Sequence, residues 1–188
     1  GGFPGYESYT EELLEIFNIF LKYHDDYCEK IWPGEERRLA KVAREWQTKL
    51  DEERLDEKAE KLVGIGSETI FCASLIGSIE HGVEAILYET GDGNIYDFFS
   101  IDRDYNSARA MLLHEYIITL LGKRIPFSIE TYDRYEGLAE YYTEELIGRT
   151  YTFTCMEKYI EFYRMKMSEK SYTPEELFEL SGNMDKNP

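Results

Sequence analysis

ARAMLLHEYIITLLGKRIPFSIETYDRYEGLAEYYTEELIG, residues Ala108–Gly148, is the stretch on which the reading of the fold turns. Its first part is apolar almost all round: Ala108, Met111, Leu112, Leu113, Ile117, Ile118, Leu120 and Leu121 leave little polar surface. A helix without a polar face is buried centrally. The pattern predicts a buried helix over 106–121, capped by Asn106 or Ser107 and stopped by Gly122 and Pro126. A second helix is expected over 131–147, ended by Gly148. His114 and Glu115 lie in the middle of the buried helix, where an unpaired charge is costly. A metal, a hydrogen-bonding partner or a water-filled cleft would each satisfy them.

Outward from this pair the chain reads as further helices. Residues 8–29 carry Leu13, Ile16, Phe17 and Phe20 at helical spacing, with Ser8 and Glu11 at the separation of a capping box. Trp32-Pro33-Gly34 reads as a break, followed by one long helix over 35–62 with Leu39, Val42, Trp46 and Leu50 on one stripe. Gly64 and Gly66 end it. Residues 67–90 read two ways. TIFCASLIGS has the composition of a strand, yet Phe71, Leu75, Ile79, Val83 and Ile86 also gather on one side of a helix. The helix is the preferred reading, with one or two strands as the alternative. GDGN, Gly91–Asn94, is then either a helix stop or a hairpin turn, and Ile95–Phe99 is short, aromatic and extended. A helix over 151–167 follows, and Thr173-Pro174 opens a last short one.

The expected fold is therefore mainly α: a single domain of six to seven helices around the buried helix 106–121, with at most a small β element near 67–99. An α+β arrangement is the alternative. Within residues 1–188 the expected parts are an N-terminal helical part over 8–63, a core over 67–167, and a short C-terminal helix with a frayed tail over 173–188.

Composition narrows the function classes. A formal net charge of −17 repels phosphate backbones and anionic membrane surfaces, so neither nucleic acid nor membrane is an expected partner, whereas a basic protein is. No apolar run reaches the roughly 20 residues of a membrane span. The three cysteines, Cys28, Cys72 and Cys155, are far apart and odd in number, which argues against a disulfide framework and for a reducing compartment. GGFPGYESYT, Gly1–Thr10, lacks the basic and apolar regions of a secretory leader. A cytoplasmic location is expected, with a leader removed before Gly1 left open.

Two short strings within the opening stretch carry a resemblance. HEYII, His114–Ile118, followed by EGLAEYY, Glu136–Tyr142, resembles the HEYxH and EGLAEY strings of gluzincin-type zinc-dependent metallopeptidases. In that family two His four residues apart bind zinc, the Glu after the first His is the general base, and a Glu on a following helix is the third ligand. The resemblance implies His114 as first ligand, Glu115 as general base and Glu136 as third ligand. Gly137 and Ala139 would be the small residues that let the ligand helix approach the first helix. The departure is at Ile118, which stands where the second His belongs and cannot bind a metal. Glu140, one turn after Glu136, and His81 are the candidates for a rebuilt ligand set.

Three functional readings follow. The first is a degenerate metallopeptidase-like domain without classical zinc protease activity, holding no resident cofactor and acting as a binding or regulatory protein for a peptide. The second is an active metallohydrolase whose rebuilt site takes zinc through His114, Glu136 and Glu140 or His81. The third is an acidic helical interaction protein, of the immunity type, that binds a basic partner. Its Tyr-rich composition, 16 residues, suits an interface.

Overall fold

The computed structural model describes residues 10–67, 71–76, 88–89, 95–100, 104–148 and 156–184. Among the described residues there are seven α-helices: α1 (Thr10–Lys30), α2 (Trp32–Glu53), α3 (Leu55–Val63), α4 (Tyr105–Gly122), α5 (Tyr132–Ile147), α6 (Glu157–Glu169) and α7 (Pro174–Ser181). The described residues between α3 and α4 include the strands β1 (Phe71–Ile76), β2 (Tyr88–Glu89) and β3 (Ile95–Ser100). The mainly α class with a small β element is as expected. Among the described residues no helix is long and apolar enough to cross a membrane. The chain divides into two compact units, Gly1–Arg44 and Glu45–Pro188, so the division falls inside α2.

Strands replace the expected helix at 71–76 and 88–89. β1 pairs in parallel with β3, from Phe71 against Ile95 to Ile76 against Ser100, and β2 pairs antiparallel with β3, giving the order β1-β3-β2. The side-chain periodicity fitted both states; backbone pairing to residues 24 positions later selects the extended one. Such a long-range partner leaves no local mark. Residues 77–87 and 90–94, which include His81 and the GDGN segment, lie outside the described residues, as do Ser8 and the start of the expected capping box.

Helix boundaries also move for identifiable reasons. Trp32-Pro33-Gly34 is not a break but the first turn of α2, with only Ile31 between the helices. Proline is tolerated there because its missing N–H has no intrahelical acceptor in a first turn. The expected long helix over 35–62 is instead two, separated at Arg54, whose φ of 49° is left-handed. The cap of α4 is neither Asn106 nor Ser107 but Asp104, whose carboxylate accepts from the N–H of both at 2.9 and 3.2 Å. α7 opens as expected on Thr173 and Pro174, and Glu176 completes the capping box.

The core belongs to the second unit. Ile117, Leu120 and Leu121 of α4 and Leu138 and Ala139 of α5 are fully buried, and Ala59, Ile160, Tyr163 and Leu177 join them from α3, α6 and α7. α4 is thus the buried central helix, as its all-round apolar pattern requires. Its neighbours bring tyrosines, and each buried hydroxyl needs a partner. Tyr135 Oη donates to the Ile118 carbonyl at 2.9 Å, and Tyr163 Oη donates to the Arg134 carbonyl at 3.0 Å.

Candidate functional site

The site is built from one side chain of α4 and two of α5. His114 of α4 reaches α5, where Glu136 and Glu140, four residues apart, share a face. The imidazole fits between the two carboxylates. Nε2 lies 3.0 Å from Glu136 Oε2 and Nδ1 lies 3.0 Å from Glu140 Oε2. The three side chains are 12%, 14% and 7% exposed, so water screens the contacts little. Ionised carboxylates only accept hydrogen bonds, so a ring bonded to both donates from both nitrogens and is an imidazolium. Burial by itself pulls the His114 pKa down. The hydrogen bonds to Glu136 and Glu140, helped by the charges of Glu115 and Glu136, outweigh it and raise the value to about 10. The two carboxylates supply the hydrogen-bonding partners that the buried ring requires.

The other expected site residues are placed as follows. Glu115 is half-buried on α4, and its backbone carbonyl accepts from Thr119 Oγ1 at 3.0 Å. Thr119 is thereby engaged by its own helix. Ile118, one turn after His114, is half-buried and packs against the core. Gly137 does not serve the approach of α5 to α4 that the resemblance implies. A Cβ there would meet Tyr159 Cβ at 2.9 Å and the Met156 carbonyl at 3.5 Å, so the missing side chain admits α6. His81 lies outside the described residues.

Zinc requires three or four protein ligands, or three and a water. Glu136 and Glu140 meet opposite nitrogens of one ring, so a metal on either nitrogen faces away from the carboxylate on the other. His114 and Glu136 make at most two ligands on the Nε2 side, and the position four residues on offers an isoleucine. Among the described residues no group of three or more His, Cys, Asp and Glu is placed to hold a metal ion. The donor set on these two helices does not fit zinc. What it does chemically is hold a proton between two carboxylates and tie two buried helices together.

A second polar cluster escaped the sequence reading. Glu60 of α3 accepts from Tyr116 Oη at 2.7 Å and from the Ser67 N–H at 3.1 Å, and Lys123 Nζ donates to Ser67 Oγ at 2.7 Å and to the Gly66 carbonyl at 3.1 Å. Burial and the Glu60 contact raise the Tyr116 pKa. The available signal was a tyrosine on an all-apolar helix, whose hydroxyl must find an acceptor; which acceptor was not readable.

No family model, no curated protein and no solved structure matches the chain.

Proposed function

We propose that α4 and α5 are a helix pair of the metallopeptidase type in which a His–carboxylate clamp has taken the place of the metal centre, and that the chain works as a non-catalytic binding or regulatory domain. The observation that carries this reading is the position of His114. Its Nε2 meets Glu136, the residue in the third-ligand position of the resemblance. Its Nδ1 meets Glu140, in the way that an outer carboxylate commonly orients a ligand histidine in zinc proteins. The arrangement around a first ligand is present, and Ile118 withholds the second.

The test is metal content with a functional arm. Purified chain is equilibrated with zinc, dialysed and analysed for metal, alongside H114A; proteolysis of an unfolded protein substrate is followed for the wild type and E115Q. Sub-stoichiometric zinc in both chains and no cleavage dependent on Glu115 are expected. One tightly held zinc per wild-type chain, lost in H114A, with cleavage abolished by E115Q, would replace this reading with that of a working metallohydrolase.

A further inference from the structure

We draw no further inference here: the strongest candidate, the exposed apolar face of α1 around Phe17, Phe20 and Leu21, lies on a helix whose flanks are apolar and exposed as well, and nothing in the structure shows what covers it.

Discussion

At His114 both ring nitrogens are committed to carboxylates within a site from which water is largely removed. Removing the ring leaves Glu136 and Glu140 facing each other without a cation. Truncating one partner of a buried, hydrogen-bonded ion pair costs about 3–5 kcal/mol. H114A should therefore lose stability of that order in urea unfolding at neutral pH, whereas E136Q, which keeps an acceptor for the ring, should lose about 1–2 kcal/mol. A loss below about 0.5 kcal/mol in H114A would mean that the pair contributes nothing net to stability. The same contact sets a pH dependence. The folded pKa of about 10 lies above the ordinary value of 6.5, so the folded state holds the proton more tightly than the unfolded chain. The stabilisation is then complete below pH 6.5 and is lost as pH rises toward 10. Urea midpoints at pH 7 and pH 9.5 should fall more in the wild type than in H114A, and the difference between the two falls isolates the contribution of His114.

At the level of elements, α5 is the helix on which the second unit is assembled. It packs against α3, α4, α6 and α7. Its contact with α6 depends on Gly137, where a Cβ would come within 2.9 Å of Tyr159 Cβ, an atom fixed to the α6 backbone. Alanine would gain up to about 1 kcal/mol of helix propensity. Overpacking at a helix contact costs about 1–3 kcal/mol. G137A is expected to be net destabilising by about 1 kcal/mol, read as a lower thermal midpoint, and G137V by more; a stabilised G137A would show that α6 shifts freely. The elements also show what local pattern can and cannot tell. The all-round apolar run of α4 and the Thr173-Pro174 start of α7 are legible because each depends on neighbours within one or two turns. The split at Arg54 is not, since no glycine or proline marks it, and a non-glycine residue takes a left-handed φ there. The strand at 71–76 is not legible either, because its partner is β3.

Over the whole chain the two units differ in how their helices are stabilised. The second unit buries Ile117, Leu120, Leu138, Ala139 and Leu177 completely, whereas α1 of the first leaves Leu14, Phe17, Phe20 and Leu21 at 57–71% exposure. Amide protection follows burial and contact density. Hydrogen exchange should be slowest in α4 and α5 and fastest in α1. Slow exchange throughout α1 in the free monomer would indicate that its apolar side is covered in solution.

The sequence by itself determined that α4 is buried, that α5 follows it with Glu136 and Glu140 on one face, and that Ile118 offers no ligand. Those are consequences of side-chain periodicity and chemical type, which are local properties. No physical pattern within either helix says that His114 meets Glu136; the structure places His114 Nε2 3.0 Å from Glu136 Oε2. The tertiary structure alone decided that Glu140 takes the second ring nitrogen, that Tyr116 reaches Glu60, that Gly137 admits α6, and that residues 71–76 are extended. Each of these depends on the angle and register at which distant segments cross, which no spacing within one segment encodes.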